Sequence, residues 1–175
     1  MAARGGGKRV KRYGAETKLI AKEKTAKTLA DQGITIVADQ DGTGSESKFC
    51  WNVTITGPAK YVVNGTERDS PYAGKQFSLE LQFPDKYPFK PPVPIFKPPL
   101  YHPNVEQSGD DAGKLCEDFI KHFWTGPTKK AHEFVIHILG LLASPDLDTA
   151  LDETIAAEIR ESTAKFEKKV AGLYK

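Results

Sequence analysis

Cysteine is scarce in this sequence, which has two in 175 residues, Cys50 and Cys116. Two thiols are too few for a disulfide framework or for a zinc site made only of cysteines, and no other pattern indicates a metal or a cofactor. In a reducing compartment both cysteines are expected to stay free. Each must therefore be judged by the residues around it.

Long apolar runs are absent as well. No stretch approaches the roughly 18 consecutive apolar residues of a membrane-spanning helix, and the first residues lack the apolar segment of a secretory signal peptide. We therefore expect no membrane partner, and a location in the cytoplasm, the nucleus or both. With 39% apolar and 27% charged residues, the chain has the composition of a globular protein, and its length predicts one domain.

Acidic residues are missing from the first twelve positions, which carry five basic ones: Arg4, Lys8, Arg9, Lys11 and Arg12. This charge, beside consecutive glycines, predicts a flexible basic tail over residues 1–14 and a single folded domain over residues 15–175. No basic or aromatic stripe continues into the folded part, so a nucleic-acid partner is not expected.

The first half of the domain alternates between helix and strand signals. Strong helix formers predict one helix over residues 15–32, and Gly33 is placed to end it. Period-2 alternation predicts strands, and Asn64-Gly65 predicts a tight turn after a short strand at 61–63. The other strands are expected at 34–38, 49–56 and 76–83. They follow one another too closely for helical crossovers, so we predict an antiparallel meander.

Eight of the twelve prolines lie between Pro84 and Pro103. Proline removes a backbone donor and restricts φ, so this segment is expected to be rigid and irregular, with one edge strand around 93–96. Apolar residues at helical spacing then predict a central helix over residues 129–142. A shorter helix capped by Asp152 and a last helix buried through Phe166, Val170 and Leu173 are expected to follow.

The clearest chemical pattern lies between Tyr101 and Trp124. Cys116 follows a loop-like approach that lacks strand alternation, and Asn104 stands directly after Pro103 in a turn. An asparagine amide held by a rigid turn can donate a hydrogen bond to an oxygen that becomes negative during acyl transfer. Cys116 is therefore the candidate nucleophile, whereas Cys50 lies in a predicted strand and is expected to be a bystander.

A cysteine protease is the alternative chemistry for such a thiol. It would need an imidazole base, and His102 and His122 are near in sequence. However, four acids flank the cysteine: Asp110, Asp111, Glu117 and Asp118. Their charge disfavours a thiolate, which suits transfer of an already activated acyl group better than attack on a stable amide.

Several motifs follow one another in a characteristic order: Trp51 through Gly57-Pro58, Ser70-Pro71-Tyr72, Phe83-Pro84 with Tyr87-Pro88-Phe89-Lys90-Pro91-Pro92, Tyr101-His102-Pro103-Asn104, Leu115-Cys116, Trp124, and Leu141-Leu142 with Pro145. Together they resemble the ubiquitin-conjugating (UBC) enzyme family over most of the chain. The resemblance implies an α+β, UBC-like fold with a four-stranded antiparallel meander sheet, an N-terminal helix, a central helix and C-terminal helices.

The resemblance also implies an activity. Cys116 would accept ubiquitin from a ubiquitin-activating enzyme as a thioester and pass it to a substrate lysine, usually with a ubiquitin ligase. On the matching positions, Asn104 would support the oxyanion or order the loop, His102 would be structural, and Asp148 would orient the lysine. Phe89 and Pro127 fall on ligase-binding loops, and Lys18 and Lys22 of the first helix on the surface shared by activating enzyme and ligases.

The sequence departs from the family pattern at several positions. The segment between Asn104 and Cys116 is longer than in common members, so residues 106–111 look like an acidic insertion, and residues 60–69 look like a second one. Thr149 stands where the second of two acids is often found. Two other readings stay open: conjugation of another ubiquitin-like modifier, and a non-catalytic ubiquitin-binding scaffold of the same fold, although such scaffolds typically lack the cysteine.

Overall fold

The computed structural model describes residues 6–39 and 49–174. Within these ranges, a four-stranded antiparallel sheet has the order β1-β2-β5-β6, and β3 and β4 form a separate hairpin. The strands are β1 (Ile34–Ala38), β2 (Cys50–Thr56), β3 (Lys60–Val63), β4 (Thr66–Asp69), β5 (Gln76–Gln82) and β6 (Val93–Phe96). The helices are α1 (Gly6–Ile20), α2 (Glu23–Asp31), α3 (Glu117–Phe123), α4 (Ala131–Ala143), α5 (Glu153–Glu161) and α6 (Thr163–Leu173). The predicted α+β fold with its meander sheet is confirmed.

One face of the sheet is buried because its strands alternate as predicted. In the β2–β5 register Trp51 lies opposite Leu81 and Val53 opposite Leu79, and these four side chains are almost fully buried. The predicted central helix is α4, in which Phe134 and Ile138 are completely buried. Such close packing of apolar surface is the main source of stability in a domain of this size.

The predicted flexible tail is wrong for residues 6–14, which form the first part of α1. Arg9 makes an ion pair with Asp85 at 2.7 Å. The Arg12 guanidinium donates to the Lys129 carbonyl at 2.7 Å, and the Tyr13 side chain is only 8% exposed. The basic residues therefore have partners on the folded body, which holds the helix against it. Residues 1–5 of the predicted tail lie outside the described residues.

The single helix predicted over residues 15–32 is two helices. Lys22 adopts an extended backbone (φ −68°, ψ 133°) between the end of α1 at Ile20 and the start of α2 at Glu23. The break allows both Ile20 and Leu29 to reach the core, where they are 8% and 3% exposed. Gly33, at φ +72°, follows the end of α2 as predicted.

Glu16 joins α1 to the start of α4. Its Oε2 accepts the backbone N–H of Ala131 at 2.6 Å, and its Oε1 accepts the Tyr87 hydroxyl and the Arg12 Nε–H, each at 2.7 Å. The residue is 3% exposed. A carboxylate at the first turn of a helix satisfies a free N–H group and complements the helix dipole.

Glu16→Ala should lower the free energy of unfolding by about 3 kcal/mol, because it leaves Arg12 without its buried partner and the first N–H of α4 unsatisfied. Urea unfolding followed by tryptophan fluorescence would measure the change. Glu23→Ala is the matched control, since this exposed acid lies in the first turn of α2. Equal stabilities of the two variants would contradict the joining role of Glu16.

The β3–β4 hairpin corresponds to residues 60–69, which the sequence predicts to be an insertion. Its turn is formed by Asn64 and Gly65, with φ of 50° and 71°, as the Asn-Gly pair predicts. Tyr61 and Val63 of β3 are buried, which attaches the hairpin to the body.

The C-terminal helices agree with the predicted ones with one exception. Asp152 caps α5 by accepting the Ile155 N–H at 3.0 Å, and Phe166 and Val170 of α6 are completely buried. Leu173, predicted to lie inward, is 56% exposed, and the next residue, Tyr174, packs instead, with its ring 5.1 Å from that of Phe77. No helix within the described ranges is both long and apolar enough to cross a membrane.

Candidate active site

The path to Cys116 depends on Gly113. Its φ is +88°, and a Cβ added there would lie 2.1 Å from the Phe96 carbonyl oxygen, so only glycine fits. The Gly113 carbonyl accepts the Phe96 N–H at 2.8 Å, and Leu115 then bridges to Val105. These contacts bring Cys116 to the start of α3, close to the turn that holds Asn104. Sequence reasoning had missed the role of Gly113, for which a glycine three residues before the cysteine was the only signal.

Cys116 is the N-cap residue of α3, yet its side chain makes no capping hydrogen bond. It is 9% exposed, so the thiol reaches the surface only slightly. Cys50 differs, because its Sγ lies 3.7 Å from the Trp51 carbonyl and the residue is part of β2.

The acids around Cys116 are opposed by more than Lys114, the one lysine that the sequence indicated. Lys121 contacts Glu117 at 2.7 Å and Asp118 at 3.9 Å, and Lys114 pairs with Asp111. The hydrogen bond from Lys121 holds the pKa of the Glu117 carboxyl below its ordinary value. Lys121 is also within electrostatic range of the Cys116 sulfur. The spacing of i,i+4 and i,i+3 could have predicted these pairs.

His102 is completely buried. Its Nδ1 accepts the Asn104 N–H at 3.1 Å, so the ring hydrogen is on Nε2, which faces the Leu141 carbonyl without completing a hydrogen bond. Burial lowers the pKa of His102 from 6.5 to about 3. The ring is therefore neutral at physiological pH and shapes the turn through its bond to Asn104.

The low pKa of His102 predicts a loss of stability in acid. Above about pH 6.5 the ring is neutral in both the folded and the unfolded chain, whereas below it only the unfolded chain binds the proton. The free energy of unfolding should therefore fall by up to about 1.4 kcal/mol for each pH unit below about 6.5. In NMR spectra of the folded protein, the His102 ring signals should not titrate between about pH 7.5 and about pH 5. A titration midpoint near the ordinary histidine pKa would contradict the prediction.

Both ends of the Asn104 amide bind the segment 146–149. Its Nδ2 donates to the carbonyls of Asp146 and Thr149 at 2.6 and 3.3 Å, and its Oδ1 accepts the Asp146 N–H at 3.0 Å. The preceding Pro103 carbonyl accepts the N–H groups of Leu151 and Asp152 at 2.8 and 3.0 Å. The turn 102–104 and the loop before α5 are thus one hydrogen-bonded unit.

Asp146 organises the loop that also carries Asp148. The Asp146 Oδ1 accepts the N–H groups of Asp148 and Thr149, and its Oδ2 accepts the Thr149 hydroxyl at 2.7 Å. The bond from the Thr149 hydroxyl lowers the pKa of the Asp146 carboxyl. Within the described residues, nothing holds the carboxylate of Asp148, which is exposed. Sequence reasoning named Asp148 and missed Asp146, although Asp after Pro is a common turn signal.

Two clefts are lined by residues close to Cys116 in sequence, although Cys116 itself lines neither of them. One, of about 530 Å³, is bounded by α3, the end of α4 and the loop 144–149, and is lined by Asp118, Phe119, His137, Asp146 and Thr149 among others. The other, of about 490 Å³, is lined by the prolines 91, 92 and 94 and by Leu115 and Glu117, the chain neighbours of Cys116.

Phe89 is 61% exposed and lies at the N-terminal part of α1, where the Lys8 Nζ is 5.1 Å from its ring centroid. The Trp124 Nε1–H donates to the Pro88 carbonyl at 3.0 Å, which ties the Phe89 loop to the segment before the exposed Pro127. Arg12 binds that same segment through Lys129. The two predicted ligase-binding loops thus both contact α1.

Lys18 and Lys22 are exposed but lie elsewhere on the helical surface. Lys18 is ten residues after Lys8 in α1, which is about 15 Å along the helix axis, and Lys22 lies beyond the helix end. The structure therefore does not bring them to Phe89. Lys8, which does contact Phe89, had been assigned to the flexible tail. No group of three or more His, Cys, Asp or Glu side chains in the described part of the chain is arranged to hold a metal ion.

Comparison with known proteins agrees with these features. A family model described as ubiquitin-conjugating enzyme matches residues 19–174. A probable ubiquitin-conjugating enzyme E2 31 of Arabidopsis thaliana is 34% identical over 128 residues, which cover 73% of this chain and 74% of the relative. The resemblance predicted from the sequence is thereby confirmed. With this fold and these matches, the chain belongs to the ubiquitin-conjugating enzyme family and is a ubiquitin-conjugating transferase.

Proposed function

We propose that Cys116 accepts ubiquitin from a ubiquitin-activating enzyme as a thioester and passes it to a substrate lysine. The setting of Cys116 carries this proposal: it stands at the N-cap of α3, it is 9% exposed, and no hydrogen bond within the described residues uses its thiol. A thiol without a structural bond is available as an acyl acceptor.

The proposed reaction has two steps, charging of Cys116 and transfer to lysine. In the first, the Cys116 sulfur attacks the thioester carbonyl on the activating enzyme, and that enzyme's thiol leaves as the new thioester forms. In the second, a lysine amine attacks the Cys116 thioester, an isopeptide bond forms and the Cys116 thiol is released. The amine must lose a proton before or during its attack. The exposed carboxylate of Asp148 is proposed to orient the lysine amine.

Asn104 is proposed to order the active-site loop. Its amide nitrogen and oxygen are both occupied by the backbone at Asp146 and Thr149, so the side chain is not free to donate to a developing oxyanion. His102, buried and neutral, is proposed to hold the turn through Asn104 and not to act as a base.

The surface around Phe89 and Pro127 is proposed to bind ubiquitin ligases. A separate part of the helical surface, with the exposed Lys18 of α1 and Lys22 just beyond its end, would bind the activating enzyme and ligases. Lys8 belongs to the surface around Phe89 because it contacts that ring. Both described cysteines are free, as in a reducing compartment, so we propose that the reaction takes place in the cytoplasm or nucleus.

The test is incubation of the protein with ATP, activating enzyme and ubiquitin, followed by electrophoresis with and without reductant. The expected result is an adduct that a thiol reductant removes. An adduct with another ubiquitin-like modifier in place of ubiquitin would change the proposed substrate. Failure with every modifier and its own activating enzyme would overturn the catalytic proposal.

A further inference from the structure

The β3–β4 hairpin is hydrogen-bonded to α6 through one carboxylate, that of Glu167. Arg68 donates two hydrogen bonds to Glu167, at 2.6 and 3.0 Å, and the Tyr61 hydroxyl donates a third at 2.8 Å. At the tip of the hairpin, the Asn64 amide donates to the Ile159 carbonyl at the end of α5, at 3.4 Å. A guanidinium that binds a carboxylate with two bonds fixes its direction as well as its distance. The hairpin therefore sets the position of α6.

Helix α6, which the hairpin contacts, in turn contacts Tyr101. Phe166, the neighbour of Glu167, stacks on the Tyr101 ring at 6.1 Å with an interplanar angle of 26°. Lys169 lies 4.4 Å from the centroid of that ring, and the Tyr174 hydroxyl accepts the Tyr101 N–H at 2.8 Å. Tyr101 is thus held by three residues, Phe166 and Lys169 of α6 and Tyr174 just after it.

Tyr101 directly precedes the turn 102–104. Its carbonyl accepts the Tyr72 hydroxyl at 2.6 Å, so its backbone is fixed on both sides. A shift of Tyr101 would move Asn104, and with it the loop at Asp146 that Asn104 binds.

We propose that the hairpin braces the catalytic turn through α6, and that Arg68 and Glu167 are positioning residues for the transfer of the acyl group from Cys116 to lysine. The inference rests on the proposed function. Residues 60–69, which form the hairpin, would then assist the reaction by positioning the turn, although they do not hold the reacting groups themselves.

The experiment compares Arg68→Ala with Lys60→Ala. Lys60 and Asp69 form an ion pair on the same hairpin at 2.6 Å, but both side chains are largely exposed. Each protein is charged with ubiquitin, the activating enzyme is stopped by removal of Mg²⁺, and loss of the thioester is followed at increasing concentrations of free lysine. Arg68→Ala should lower the maximal rate of discharge about threefold to tenfold, the usual range for coupling through a contact network. The lysine concentration for half-maximal rate and the rate of charging should not change.

Two further measurements separate positioning from simple loss of stability. The double variant Arg68→Glu with Glu167→Arg reverses the ion pair and should restore the discharge rate, whereas either single reversal should not. Hydrogen exchange of the Tyr101 and Asn104 amides should be faster in Arg68→Ala than in Lys60→Ala, and this holds whether or not any modifier is accepted.

The outcomes are distinct. Discharge and exchange in Arg68→Ala equal to those of Lys60→Ala would overturn the brace, and so would a double variant that stays as slow as the single ones. If the wild-type protein forms no thioester, the proposed function fails, and amide exchange alone then decides whether the hairpin positions the turn.

Discussion

Cys116→Ala should form no reductant-sensitive adduct with ubiquitin, because it removes the sulfur that we propose as the acyl carrier. The fold should remain, since the Cys116 side chain makes no capping bond that alanine would lose. Cys116→Ser should instead accumulate an oxyester that thiols do not cleave, because an alkoxide is a poorer leaving group than a thiolate. Non-reducing electrophoresis after charging measures both results.

Cys50→Ala is the matched control for that experiment. Cys50 is 5% exposed and part of β2, so its loss should cost about 1 kcal/mol of stability and leave the charging rate unchanged. If Cys116→Ala still formed a thiol-sensitive adduct, and this adduct disappeared only when Cys50 was also replaced, the acceptor would be Cys50 and not Cys116.

Asn104→Ala should slow discharge of the thioester to lysine by about 100-fold, the effect expected when a misplaced loop displaces reacting groups by about 1 Å. The substitution removes three hydrogen bonds to Asp146 and Thr149 and leaves the Asp146 N–H without its partner. Charging by the activating enzyme should be affected less, because in that step the Cys116 thiol is the acceptor and no lysine has to be positioned. Single-turnover discharge gives the rate.

Hydrogen exchange distinguishes the two roles suggested for Asn104. If it orders the loop, exchange of the Asp146 amide rises in Asn104→Ala together with the loss of rate. If it stabilises an oxyanion, the rate falls while that exchange is unchanged, which would contradict the role proposed above. Asp148→Ala is the comparison variant: it should slow discharge without faster loop exchange, because its carboxylate binds no described residue.

Local patterns predicted most of the sheet, and long-range contacts explain what they missed. Strand alternation and the Asn64-Gly65 turn depend on neighbours in sequence, and both predictions are confirmed. The start of α1 was missed because Asp85, the partner of Arg9, and Lys129, the partner of Arg12, are 76 and 117 residues away. The break at Lys22 was missed because helix propensity is high on both sides of it, and burial of Ile20 and Leu29 decides the path.

The active site shows the same division. Cys116, Asn104 and His102 could be named from their motif, since residue type and order carry that information. Gly113 could not, because its importance depends on the approach of the Phe96 carbonyl. Nor could the contact between Arg68 and Glu167, which are 99 residues apart and belong to segments without a shared pattern.

The carboxylate of Glu16 meets the α4 amide of Ala131 across 115 residues of chain. During synthesis, α1 leaves the ribosome long before α4 exists, so at that stage its buried side chains have no surface to cover. Contacts of such separation form late in folding, because the intervening loop must close first. The basic helix that carries Lys8 is therefore expected to complete its docking only after the sheet and the cysteine segment have been made, and the proposed partner-binding surface becomes available on a nascent chain only when α4 has emerged.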